Sequence, residues 1–148
     1  MILPLTCRAI ASAIINEELS WPAAVRAELS RGTMDDDAEE APKSIPLPCV
    51  IVNAPSAQRI DPQVATSYVD VLVQVQHSVD DTQTDTHQAH AQEVYEFLTG
   101  DGFLAACNTY ASFTAFGIDG VDCQFDRVGR RWQSSFSFRI LAAPSTIA

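Results

Sequence analysis

The chain has 148 residues, of which 47% are hydrophobic and 19% are charged, and these proportions predict one globular domain over residues 1–148 rather than a disordered polypeptide. Nineteen acidic residues against nine basic ones give a net charge of -10, which argues against a protein that grips nucleic acid through its phosphates. The sequence contains no apolar stretch near the ~18 residues of a membrane span and no visible signal peptide, so we expect synthesis in a reducing cytosol and no membrane partner.

The first predicted element is a helix from about Pro4 to Glu18. Its apolar residues recur at helical spacing, and proline is well tolerated in a first helical turn. The dipeptide Trp21-Pro22 then interrupts the helix. Residues 22–30 predict a second short helix that ends at Gly32.

A strongly acidic segment follows, with the sequence TMDDDAEEAPKS at residues 33–44. It has little to bury, so we predict an exposed loop at about residues 33–45. The segment is either a solvated linker or an arm that becomes ordered on a partner. Its acidic residues are Asp35, Asp36, Asp37, Glu39 and Glu40.

The middle of the chain predicts two strands. Residues 47–54 (LPCVIVNA) form a short apolar run bounded by prolines, which indicates a buried strand. In residues 67–79 (SYVDVLVQVQHSV) valines alternate with mainly polar residues, a pattern typical of a strand with one buried and one wet face.

A helix is then predicted from about Thr86 to Thr99, with Asp85 and Gln88 as a capping box, and a short helical turn follows through residues 103–107. The last third predicts three strands, at residues 113–118, 121–127 and 132–140, with a hairpin turn at Gly129. The whole order predicts an α+β, two-layer sandwich, in which helices pack on one face of an antiparallel or mixed β-sheet.

The three histidines are the candidate metal ligands of this sequence. His77 ends the long strand, and His87 and His90 are three residues apart on the next helix. The HExxH spacing is absent, and the cluster lies where a helix N-terminus needs polar groups, so we favour a structural role. The chain also lacks a GxSxG elbow, a P-loop and a GxGxxG motif. These observations predict a protein that is not an enzyme and needs neither cofactor nor metal.

The four cysteines are scattered among apolar neighbours and form no CxxC pair, which predicts buried free thiols: Cys7, Cys49, Cys107 and Cys123. The basic residues cluster near the last hairpin, beside Trp132. An aromatic ring beside arginines can bind single-stranded nucleic acid, but the net charge favours an exposed hairpin tip with Trp132 folded into the core. The basic cluster consists of Arg127, Arg130 and Arg131.

The order of elements resembles that of the small tail-terminator and head–tail joining proteins of long-tailed bacteriophages. The resemblance rests on the strand, Asp-rich turn and helix in YVDVLVQVQHSVDDTQTDTHQAHAQEVYEFL and on the late segment GRRWQSSFSFRILAA. It covers roughly residues 1–143, at the level of pattern, and brings no catalytic residues with it.

The resemblance implies a ring, typically of six copies, that caps the tail tube and joins it to the head connector or stopper protein. The partners are then other copies of the chain and the tail tube and connector proteins, and DNA is only passing cargo. Such a protein is made in the host bacterial cytoplasm and resides in the virion. A head-completion or stopper ring of the same neck region is the close alternative. From other classes, the alternatives are a small metal-dependent hydrolase using the three histidines and a host-directed binding module.

In a closed ring, each copy presents two different complementary surfaces. We therefore predict that the acidic helix region of one copy meets the basic hairpin of the next, and that the acidic segment at 33–45 lines the channel or forms an arm. The predicted interface residues are Asp81, Asp85, Glu93 and Glu96 on one surface and Arg127, Arg130 and Arg131 on the other.

Overall fold

The computed structural model describes residues 3–27, 47–59, 66–110 and 113–144. The elements in chain order are α1 (Leu3–Glu18), β1 (Ala24–Ala27), β2 (Cys49–Arg59), β3 (Ser67–Ser78), α2 (Thr84–Thr99), α3 (Asp101–Cys107), β4 (Phe113–Val128) and β5 (Arg131–Pro144). The predicted acidic loop at 33–45, with Asp35, Asp36, Asp37, Glu39 and Glu40, lies outside the described residues.

The five strands form one mixed sheet in the order β1–β2–β3–β5–β4. Strand β1 runs parallel to β2, and the other three neighbouring pairs are antiparallel. Strand β3 lies at the centre and pairs with β5 along its whole length, from Ser67 to Ser78. The predicted α+β two-layer sandwich is confirmed.

The alternation of valines gives β3 one buried face and one half-buried face. Val69, Val71, Val73 and Val75 are at most 2% exposed, whereas the residues between them, such as Asp70 and Gln74, are half-buried. Since successive side chains of a strand point to opposite faces, one face of β3 is closed by the helices and the other remains polar.

The helices cover that closed face and share one continuous core with it. The predicted stripe of α1 is buried through Cys7, Ile10 and Ile14. From α3, the fully buried Phe103 packs edge-on against Phe138 of β5, with ring centroids 5.8 Å apart. In the described part of the chain, no helix is both long enough and apolar enough to cross a lipid bilayer.

The predicted second helix at residues 22–30 is wrong where the structure describes it. Residues 24–27 form β1, in register with Cys49–Val52 of β2. The backbone N–H of Ala24 also donates to the carbonyl of Pro48 at 3.1 Å. Pairing with the edge of β2 supplies backbone partners that outweigh the helical preference of an alanine-rich segment.

Between residues 113 and 144, the structure contains two strands rather than the predicted three. Residues 113–128 are continuous in β4, and the glycine-containing segment expected to be a turn is a register shift between Asp119 and Asp122 against β5. Gly120 has a φ of 47° there. A glycine that adopts positive φ allows a bulge as readily as a turn, and the two are alike in sequence.

Two local predictions are also wrong. Helix α2 begins at Thr84 with Gln83 at the N-cap and no side-chain capping hydrogen bond, so the capping box of Asp85 and Gln88 does not form. Cys7, Cys49 and Cys107 are buried as predicted, but Cys123 is exposed on β4.

Candidate functional site

The three histidines lie together at the end of the sheet. His77 is two residues beyond Val75 on β3, so its side chain enters the helix-covered face and is 1% exposed. The short connection to α2 then brings His87, which is fully buried, and the half-buried His90 over the same point. Strand alternation and helical i, i+3 spacing therefore converge on one cluster.

The cluster is a linear chain of hydrogen bonds. Ser134 Oγ lies 2.9 Å from His87 Nε2, and His87 Nδ1 lies 2.6 Å from His77 Nδ1. His77 Nε2 in turn lies 2.9 Å from His90 Nδ1. We call this set, Ser134–His87–His77–His90, the histidine chain.

Aromatic rings enclose the histidine chain at both ends. Trp21, from the segment between α1 and β1, stacks on His90 with ring centroids 4.2 Å apart and planes 5° from parallel. At the other end, the ring centroid of Phe125 on β4 lies 5.6 Å from the ring centroid of His87. Next to the Trp21 contact, Glu93 of α2 accepts hydrogen bonds from the backbone N–H and the hydroxyl of Ser20, at 2.8 and 2.5 Å.

Burial makes these imidazoles poor bases. It lowers the pKa of His77 from 6.5 to about 4, and the neighbouring His87 and His90 add to the effect, since a second positive charge nearby is unfavourable. Burial and His90 likewise lower the pKa of His87 to about 4. The pKa of His90 is lowered by burial, against the opposing effect of Glu93. All three are neutral at pH 7.

The geometry does not suit a metal ion. A tetrahedral zinc site needs one nitrogen from each ligand at ~2.0–2.1 Å from a common point, but His77 directs its two ring nitrogens to two different partners. Within the described ranges, no group of three His, Cys, Asp or Glu side chains could hold a metal. The arrangement therefore lends no support to the hydrolase alternative built on His77, His87 and His90.

Ser134, His87 and His77 have the connectivity of a serine–histidine–histidine triad, but the surroundings do not fit catalysis. Ser134 is only 3% exposed. It lies on β5, which is paired on both sides, so its backbone N–H groups serve the sheet ladders and are not available as an oxyanion hole. An imidazole with a pKa of about 4 is also a weak general base at neutral pH.

The arginines of the basic hairpin, which we predicted to form an interface, make contacts with other residues of the same chain. Arg130 forms a bidentate ion pair with Asp80, and both side chains are more than half exposed. Arg131 Nη1 donates to Gln76 Oε1 at 2.8 Å. The guanidinium of Arg127 lies 5.7 Å from the ring centroid of Trp132. This ring is half-buried at the hairpin rather than part of the core, and its Nε1–H donates to the carbonyl of Thr82 at 2.8 Å.

The predicted acidic interface residues are spread over two regions. Glu93 accepts the two hydrogen bonds from Ser20 described above. Glu96 accepts a hydrogen bond from Gln92 at 3.1 Å on the exposed side of α2. Asp81 and Asp85 are exposed and line a polar groove of about 540 Å³ beside Trp132. The structure thus brings Asp81 and Asp85 close to the basic hairpin of the same copy.

Exposed apolar side chains on β4 were not predicted from the sequence. Among the described residues, the large hydrophobic side chains that are exposed are Phe116 at 57%, Phe125 at 45% and Val128 at 48%. All three belong to β4, the edge strand. Phe125 also lines a groove of about 350 Å³ between α2 and the sheet. The alternation of β4 is interrupted by bulges, so its faces could not be assigned from spacing alone.

Comparison of the chain with models of known protein families and with curated protein sequences finds no match.

Proposed function

We propose that the chain is a structural subunit that assembles with copies of itself into a ring, as a tail terminator at the neck of a long-tailed bacteriophage. The observation that carries the proposal is the concentration of exposed apolar side chains on β4. The three side chains are distributed along one outer strand, Phe116 near its start and Phe125 and Val128 near its end, and exposed apolar surface rimmed by polar residues is typical of interaction sites.

The position of β4 favours contact with another protein. It is the outer strand of the sheet, and residues 122–130, which include its end and the hairpin turn, are all exposed. Fully burying an exposed Phe or Val side chain contributes roughly 1.5–3 kcal/mol, and a half-exposed one contributes about half of that. Two such residues, Phe116 and Val128, therefore represent a sizeable part of the stability of an interface.

The backbone edge of β4 is not the expected point of contact. Two register shifts interrupt its pairing with β5, and exposed carboxylates at Asp119, Asp122 and Asp126 lie along it. Bulges and charges are the features by which edge strands avoid pairing with one another. We therefore expect β4 to contact a neighbour through its apolar side chains.

The charges of the hairpin set the orientation of this contact. The ion pair of Arg130 and Asp80 is exposed, and exposed pairs contribute little to folding. Such a pair can be exchanged for one between copies, so that Arg127 or Arg130 meets Asp81, Asp85 or Glu96 of a neighbour. From the resemblance to tail terminators, we propose the tail tube and the head connector as the other partners of the ring.

Mass measurement by light scattering after gel filtration, with negative-stain imaging, tests the proposal. We expect a multimer of defined mass and ring-shaped particles. The double variant Phe116→Ser/Val128→Ser should lower the mass toward that of one chain while the far-ultraviolet circular dichroism spectrum stays unchanged.

The matched control is Gln124→Ser, which changes an exposed polar residue of the same strand and should leave the mass unaltered. A wild-type chain that stays monomeric at high micromolar concentration would contradict the proposal. A double variant that assembles as the wild type does would contradict the role of β4.

A further inference from the structure

We infer that the histidine chain is an acid-sensitive latch, which fastens the segment between α1 and β1 to α2 and the sheet and releases it when the imidazoles are protonated. The inference goes beyond the proposed function, because it concerns a movement within one copy. It rests on the hydrogen-bond connectivity and on what the chain holds in place.

A count of protons shows how the latch is kept closed. Each neutral imidazole has one N–H donor and one bare nitrogen acceptor. All three contacts are satisfied when the N–H groups of the three imidazoles point the same way along the histidine chain. These contacts are Ser134–His87, His87–His77 and His77–His90. Either direction works, because Ser134 Oγ can donate to His87 Nε2 or accept from it.

One added proton fits this arrangement, but a second does not. If His87 becomes doubly protonated, it donates to both Ser134 and His77, and His77 still donates to His90. With two imidazolium rings among the three, at least one contact must place N–H against N–H. The ring centroids of His77 lie 4.7 Å from His87 and 5.0 Å from His90, so two charges here also repel each other strongly.

The segment that the latch holds packs on the core through Trp21, Leu19 and Ala23. Trp21 is 8% exposed, and within the described part of the chain its buried Nε1 has no hydrogen-bond partner. Its ring is therefore held by packing and by the stack on His90, and the adjacent Ser20 is held by Glu93. Once His90 leaves its place, Trp21 loses its stacking partner, while Ala24 at the start of β1 stays hydrogen-bonded to Pro48.

The groups around the chain set the pH of opening. From the elements packed against it come the uncharged side chains of Trp21, Phe125 and Ser134. The charged neighbour is Glu93, whose carboxylate favours protonation of His90. Among the described residues, no other charged group contributes to the shifts of the three pKa values.

The sign of the pH dependence follows from the lowered pKa values. Unfolded or released histidines have a pKa of 6.5, whereas His77 and His87 in the closed chain have a pKa of about 4. Between pH 4 and pH 6.5, the released state therefore binds more protons than the closed state does. The latch is fully stable above pH 6.5 and loses stability as the pH falls toward 4.

Fluorescence of Trp21 tests the latch. In the variant Trp132→Phe, Trp21 is the remaining tryptophan, and a shift of its emission maximum to longer wavelength reports its release into water. We expect this shift between pH 6.5 and 4, and we expect the transition to be steeper than the titration of a single group. The far-ultraviolet circular dichroism spectrum should stay unchanged.

The second variant is His77→Gln in the same background, because the side-chain amide has both an N–H donor group and an oxygen acceptor but does not titrate. We expect its transition to be no steeper than the titration of a single group. The midpoint should move to lower pH by at least half a unit. Should this variant not fold, His90→Gln replaces it at the half-buried end of the chain, with the same expectation.

Three results would overturn the inference. The first is an emission maximum that does not move down to pH 4. The second is a transition of equal midpoint and steepness in the histidine variant and its parent. The third is simultaneous loss of the far-ultraviolet signal, which would mean that the whole domain unfolds.

Discussion

Single side chains complete the backbone hydrogen bonding of this domain where regular elements end. Asn108 follows α3, and its amide forms two hydrogen bonds with the backbone of Ala115: Nδ2 donates to the carbonyl at 2.9 Å, and Oδ1 accepts from the N–H at 2.8 Å. Ala115 is 4% exposed, so water cannot easily replace these partners. Asn108 thus acts as one more strand residue beside the start of β4.

The variant Asn108→Ala should lower the free energy of unfolding by about 1–3 kcal/mol, because it leaves two buried backbone groups without partners. The matched control is Thr109→Ala, which removes an exposed hydroxyl bond to the carbonyl of Ala106 and should cost less than about 0.5 kcal/mol. Urea denaturation followed by circular dichroism measures both. Equal losses in the two variants would contradict the role given to Asn108.

Turn chemistry decides how β4 and β5 meet. Val128 pairs with Arg131, which leaves Gly129 and Arg130 as a two-residue turn. Gly129 has a φ of 60°, and Arg130 does not have a positive φ, which is the pattern of a type II′ turn with glycine first. This turn matches the twist of the two strands and fixes their register from the hairpin end.

The variant Gly129→Ala should destabilise the domain by about 1–2 kcal/mol, because an L-residue with a side chain is strained at this φ. Gly117→Ala is the comparison: a Cβ at Gly117 meets nothing within 4 Å, and its φ is not positive. We expect the second change to alter stability by less than about 1 kcal/mol. Thermal unfolding of the two variants side by side tests this, and a larger loss at Gly117 would be the contrary result.

Patterns of alternation and amphipathic spacing were sufficient to predict α1, β3, α2 and the sandwich. They failed at β1, because a four-residue strand is defined by the β2 edge that it joins and not by its own residues. They could not distinguish the bulge at Gly120 from a turn. The histidines were identified as a group, but their arrangement as a chain depends on Ser134, which is 47 residues from His87.

One core joins the three helices to four strands of the sheet. The side chains of β3 lie at its centre, between those of β2 and β5. A domain built around a single core unfolds as one unit. Damage at the centre is therefore expected to destabilise every element together.

The variant Val73→Asp should remove more than about 4 kcal/mol and prevent folding, because Val73 is fully buried and the new carboxylate would have no partner. Gln74→Asp is the matched control, since its side chain is half-buried on the polar face of the same strand. The amount of soluble protein and the near-ultraviolet circular dichroism spectrum report the outcome. A folded Val73→Asp protein would show that the core can rearrange around a charge.

The two margins of the sheet are chemically unlike. One is β1, four residues long and parallel to its neighbour, and the other is β4, sixteen residues long and antiparallel. In the proposed assembly, the β4 margin of one copy meets a different surface of the next, so growth through this contact has a direction. Such head-to-tail growth stops only when the rotation per copy closes a circle, and otherwise continues as a helical fibre. The curvature between successive copies, rather than the strength of one contact, then determines whether the assembly is finite.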